Sequence, residues 1–142
     1  MSSCTRESLE TVIARYGGVL RSGAHPAHDA CCVLEARSVC LGLPWTDAPE
    51  AVGLPDVRAL NDGPWSSDRP RTEAMVRLAE AYDGWATWPA ERQQRILTRI
   101  VIETVRQIIS SLPGLSPTIR HQCQHVQTLA AVEEAEEAAW AA

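Results

Sequence analysis

Apolar residues recur along this chain at helical spacing, and no segment alternates with a period of two. Leu9, Val12 and Ile13 form a stripe over Glu7 to Arg15, which Gly17-Gly18 stops. A second apolar run follows the turn Ser22 to Pro26 and reaches about Leu41 before Gly42. The residue before a proline avoids the helical region, so His25 is expected outside this helix and Pro26 in its first turn. Asp47, three residues before Glu50, reads as the cap of a short helix before Gly53. Asn61-Asp62-Gly63-Pro64 is a turn signal. Ser67 or Asp68 then opens a helix through Pro70 to about Tyr82, with Met75, Leu78, Ala79 and Tyr82 on one face.

The widest stripe lies between Ala90 and Leu112, where Ile96, Leu97, Ile100, Val101, Val105, Ile108 and Ile109 predict a central core helix. Ser116-Pro117 is an N-cap followed by proline at the first helical position. The helix it opens carries Ile119, Val126, Leu129 and Val132 and runs into the acidic stretch 133–137. Negative charge near a helix C-terminus is mildly unfavourable, so the last turns, 133–142, are expected to fray or to pack elsewhere. The pattern predicts an all-α fold, a compact bundle of five to seven helices with short loops, in a single domain spanning 1–142.

Composition adds exclusions. A net charge of -5 with dispersed arginines argues against a nucleic-acid surface, which needs a clustered positive face. No run of 18 apolar residues exists to span a membrane, and the first ten residues carry no apolar leader. Five cysteines without a secretory signal point to free thiols in a reducing, cytoplasmic compartment. Trp45, Trp65, Trp85 and Trp88 fall in connectors; Trp140, in an alanine-rich tail, suggests docking to a protein partner or self-association.

Candidate chemistry begins with Glu35. A carboxylate in so apolar a run needs compensation: an arginine, a row of backbone donors, or a metal ion. If the helix starts at Pro26, His28, Cys32 and Glu35 fall on one stripe, and all three are metal-ligand types. His121 and His125, four apart, have the spacing of helical zinc ligands. Together His28, Cys32, His121 and His125 would make a tetrahedral site. The bland alternatives are a core cysteine, a capping histidine and a solvated polar face. Cys32 as a nucleophile would need a lowered thiol pKa and a base such as His28. A third set, His25, Glu35, Asp47 and Asp62, would serve acid–base or metal-assisted hydrolysis if it converged in a cleft. Its alternative is a buried structural network, with Asp47 and Asn61-Asp62 capping and turning the helices around Glu35.

The segments Gly23-Ala24-His25, Cys32-Val33-Leu34-Glu35-Ala36, Gly42-Leu43-Pro44-Trp45-Thr46-Asp47-Ala48-Pro49 and Asn61-Asp62 carry a resemblance. The chain resembles an uncharacterised family of actinobacteria and their phages, with the pattern Gly-x-His, Cys-Val-Met-Glu-Ala, Gly-Glu-Pro-[Trp/Phe]-Ser-Asp-x-Pro and Asn-Asp. The gap between His25 and Cys32 is one residue shorter than in that pattern, and the family's second cysteine is missing near Ala51-Val52. The resemblance implies a helical protein and weights His25, Cys32, Glu35, Asp47 and Asp62 over the His121/His125 pair. It brings no reaction. The expectation is a helical interaction or regulatory protein, phage-linked, without a cofactor. The alternative is a small hydrolase, with zinc as its metal if it takes one.

Overall fold

The computed structural model describes residues 3–26 and 29–141, the side chains at 136, 139 and 140 excepted. The fold is all-α: eight α-helices, six of them of seven residues or more, and no strand among the described residues. No described helix is long and apolar enough to cross a membrane. The chain divides into two compact units, Met1–Thr87 and Trp88–Ala142.

The first unit holds α1 (Arg6–Arg15), α2 (Val33–Cys40), α3 (Pro49–Val52), α4 (Arg58–Asn61) and α5 (Asp68–Ala81). Helix α1 is capped by Thr5, whose hydroxyl accepts from the Ser8 amide at 3.2 Å, and it buries Leu9, Val12 and Ile13. These join Leu20, Val33, Leu34, Val52, Met75 and Val76 in one core. Tyr16 and Trp45 pack at its edge with ring centroids 5.3 Å apart. Arg37 crosses the interior, 4% exposed, donating through Nε to the Val52 carbonyl (2.9 Å) and through Nη2 to Asp83 (2.8 Å).

Three expectations are corrected here. Helix α2 begins at Val33, not Pro26. Cys32 is its extended N-cap, with φ -88° and ψ 177°, so Cys32 and Glu35 sit at N-cap and N3 and not on one helical stripe. Asp47 caps nothing: the N-cap of α3 is Ala48, whose amide donates to the Thr46 hydroxyl at 3.1 Å. The cysteines are not all free, because Cys4 and Cys40 form a disulfide. Cys31, Cys32 and Cys123 remain as buried thiols.

The second unit holds α6 (Ala90–Gln107), a 3-10 turn at Ile109–Ser111, α7 (Pro117–Gln124) and α8 (Leu129–Ala141). Its core is small: Val105, Cys123, Val126, Val132 and Ala135, with Ile102, Ile109 and Ile119 against it. Helix α6 is therefore not the central core helix its stripe predicts. Val105 is its buried residue, and Leu97 and Val101 are exposed. The helix expected from Ser116 onward breaks after Gln124 and restarts at Leu129. Thr128 provides the restart, its hydroxyl accepting from the Ala131 amide at 3.2 Å. The acidic run thus lies inside α8 and does not trail from a longer helix.

Candidate functional site

Glu35 lies at the N-terminus of α2 and is 1% exposed. A helix start leaves its first amides without intrahelical partners. Here side chains supply them. The Glu35 Oε2 accepts from the Cys32 amide at 2.7 Å, while the Cys32 thiol faces the Glu35 amide, a capping box with sulfur in place of the usual hydroxyl. The Val33 amide donates to Asn61 Oδ1 at 3.3 Å.

The same carboxylate fastens the segment before the helix. The His25 amide donates to Oε1 at 2.6 Å, and the His25 Nδ1 lies 2.9 Å from Oε2. The charge that the sequence says must be compensated is met by a histidine and by backbone donors, and by no arginine. His25 itself is held from a third side, because the Trp45 indole donates to its carbonyl at 2.9 Å.

Asp62 repeats the device one turn upstream. Its Oδ1 accepts from the Gly23 amide at 2.7 Å and from Asn61 Nδ2 at 2.9 Å. Gly23 has φ +81°, a conformation that L side chains rarely adopt, which is why the turn takes glycine there. Asn61, 1% exposed, also donates to the Arg21 carbonyl at 2.8 Å, and its own carbonyl accepts from the buried Arg71 Nε at 2.6 Å. The segment 21–25 is thus pinned by Glu35, Asp62, Asn61 and Trp45 together.

Of the proposed hydrolytic set, His25 and Glu35 are in direct contact, and Asp62 binds the same turn through Gly23. Asp47 lines a cavity of about 30 Å³ with Cys32, Asn61, Asp62 and Arg58. That volume suits a single water and is an order of magnitude below an ordinary small-molecule pocket. Arg58 is held on the outer side by Asp56, to which it donates through Nε (2.9 Å) and Nη2 (2.7 Å). Those bonds hold the Asp56 carboxyl below its ordinary range.

The proposed metal set is not assembled among the described residues. His28 lies outside them, and Cys32 belongs to the first unit while His121 and His125 belong to the second. The two histidine rings do meet, with centroids 4.0 Å apart, but His125 Nδ1 is 2.8 Å from the His121 carbonyl, and both residues are exposed. No group of three or more His, Cys, Asp or Glu is placed to hold a metal ion among the described residues. Burial pushes the Cys32 thiol up to about 12, opposite to what a nucleophile needs.

The sequence reading passed over Trp45 as a bond donor and Gly23 as the backbone partner of Asp62. The signal for the second was present in Ser22-Gly23, a glycine in a turn two residues before His25. Comparison with protein-family models, with curated proteins and with solved structures found no match.

Asn61 gives a discriminating test of this network. Asn61→Ala leaves the Val33 amide and the Arg21 carbonyl without their partners and is expected to cost about 2–3 kcal/mol in urea unfolding. Asn61→Asp keeps the oxygen for Val33 but sets a second carboxylate against Asp62. It is expected to be the more damaging change at neutral pH and to recover stability in acid, where a carboxyl protonates. Equal stability of Asn61→Asp and the parent at neutral pH would contradict the assigned bonds.

Proposed function

We propose that this chain is a cytoplasmic helical protein-interaction or regulatory protein, and that its His25–Glu35–Asn61–Asp62 cluster is a structural network and not a reaction centre. The observation that carries the reading is the state of the Glu35 carboxylate. Both oxygens are engaged by donors of its own chain, two of them backbone amides that would be orphaned if it moved. A group in that position orders the start of α2. The single-water size of the cavity beside Asp47 and Asp62 supports the same reading.

A surface of suitable scale lies elsewhere on the first unit. Between α1 and α5 runs an open groove of about 380 Å³, lined by the buried Ile13 and Val76 and by the exposed Ala14, Arg6, Glu10 and Arg77. Enclosed apolar residues beside exposed charged ones are the anatomy of a protein-binding surface. The alternative, a hydrolase using His25, Glu35, Asp47 and Asp62, has the 2.9 Å His25–Glu35 contact in its favour, the arrangement by which a base is oriented.

The test places a photo-crosslinking residue at Ala14 or Arg77 in the groove and, as a control, at Arg58. The interaction reading expects discrete adducts in cells from the two groove positions and none from the control. Absence of adducts from the groove, together with hydrolytic turnover abolished by His25→Gln, would replace it with the alternative.

A further inference from the structure

We propose that Cys4 and Cys40 form a reversible redox staple, closed and opened by thiol–disulfide exchange with a low-molecular-weight thiol, that sets how firmly α1 is held on α2. The five cysteines divide by placement. Cys31, Cys32 and Cys123 are buried without a sulfur partner. Cys4 and Cys40 are 36 residues apart in sequence, yet their Cα atoms are 5.6 Å apart, within the range a disulfide requires. Cys4 immediately precedes the N-cap of α1, and Cys40 is the last residue of α2, so the bond joins two helix ends.

Access is one-sided. Cys4 is 5% exposed and buried in the core, whereas Cys40 is half-buried and opens on a surface groove of about 460 Å³ lined by Thr5, Ser8, Val12, Arg15 and Val39. The incoming thiolate therefore attacks the Cys40 sulfur. The Cys4–Cys40 bond breaks, a mixed disulfide forms on Cys40, and Cys4 leaves as a thiolate that takes a proton from water. It leaves next to the N-terminus of α1, where negative charge is favoured. A second small thiol attacks the small-molecule sulfur of the mixed disulfide, releasing Cys40 and the oxidised small molecule. Two electrons enter the protein. Closing reverses these steps with the small-molecule disulfide as oxidant. Ser8 Oγ lies 3.2 Å from Cys40 Sγ, with its hydroxyl donating to the Thr5 carbonyl at 2.9 Å, so the neighbour of that sulfur is a polar group.

The remaining thiols do not compete, because Cys31, Cys32 and Cys123 are all enclosed, Cys31 and Cys123 completely. Burial also pushes Cys31 and Cys32 up to about 12, so almost none of either is thiolate at neutral pH. Exchange is thereby confined to one pair.

The staple adds a covalent tie to the packing of α1 on α2. Leu9, Val12 and Ile13 pack into the core, and the Arg6–Glu80 ion pair is solvent-exposed on both sides, the kind that contributes little. Arg6, Glu10, Ile13 and Ala14 of α1 also wall the groove against α5, so loosening α1 changes that groove. This coupling rests on the interaction reading above; the exchange chemistry does not.

The test equilibrates the purified full-length chain in glutathione mixtures from oxidising to reducing, quenches with maleimide and maps the labels by mass. The expected result, with labelling in denaturant so that every free thiol is read, is one two-electron transition from three labels, on Cys31, Cys32 and Cys123, to five, with Cys4 and Cys40 added together. The reduced protein is expected to melt about 10 °C below the oxidised one. The Cys4→Ser/Cys40→Ser variant should melt with the reduced protein and ignore reductant. Labelling of Cys4 and Cys40 at every glutathione ratio, or equal melting of the two forms, would overturn the staple. If the staple behaves as expected but groove cross-linking is the same in both redox forms, the coupling falls and the exchange chemistry stands.

Discussion

Replacing Glu35 with alanine is expected to lower the unfolding temperature of the first unit by about 15 °C. Three donors lose their acceptor at once: the Cys32 amide, the His25 amide and the His25 ring nitrogen. Loss of a helix cap costs about 1 kcal/mol, and each buried amide left unpaired costs about 1–3 kcal/mol more. With two amides involved the sum is about 3–7 kcal/mol, and a domain of this size shifts by about 4–8 °C for each kcal/mol. The estimate stays at the lower end because the released segment 21–26 is near the surface and water will reach some of its amides. Calorimetry on the full chain reads the effect, with the second unit as internal reference if the two transitions separate. Glu35→Gln retains one acceptor oxygen and turns the other position into a donor facing donors. It is expected to fall between parent and alanine variant. A Glu35→Ala protein melting within about 2 °C of the parent would show that the carboxylate orders nothing.

Much of this centre was legible because it follows from one imbalance. A lone carboxylate among Cys31, Cys32, Val33, Leu34 and Ala36 is visible in the sequence, and the need for compensation follows from solvation alone. The identity of the compensation was not. An N-cap is an extended residue, and Cys32 is not a usual one, so the apolar pattern extended the helix back to Pro26 and placed His28 and Cys32 on a stripe. The capping box explains the error: with Cys32 at N-cap and Glu35 at N3, the residues before it are free to turn, and His25 is brought back onto Glu35.

Other misses have a different origin. The Cys4–Cys40 bond depends on the packing of α1 on α2, a tertiary fact that no spacing rule encodes. Asp47 has the sequence of a cap, but Thr46, one residue earlier, takes the Ala48 amide instead. Helix α6 shows the limit of periodicity in the other direction. Its stripe gives the helix correctly but not what covers it, and only Val105 is fully enclosed.

Alkaline pH should destabilise the first unit steeply, through the two adjacent thiols. Cys31 is 0% and Cys32 4% exposed. Burial pushes each thiol from 9.0 up to about 12, and the nearby Glu35 carboxylate adds to the rise. The folded state therefore retains two protons that the unfolded chain releases. Stability follows the difference in bound protons between unfolded and folded states, which is negative here, so it falls as pH rises. The stabilisation is fully present below pH 9.0 and is lost progressively toward about 12. Once both unfolded thiols are ionised, the slope approaches about 2.7 kcal/mol per pH unit, twice the value for one proton. Cys4 and Cys40 do not contribute while their bond is closed. Urea midpoints measured at successive pH values above neutrality give the slope directly. Cys31→Ala/Cys32→Ser removes both titrating groups and leaves a hydroxyl at the N-cap of α2, where serine is favoured. That variant should lose most of the alkaline slope while folding at neutral pH. The same slope in parent and variant would mean that other groups govern alkaline unfolding and that the enclosed thiols are incidental to it.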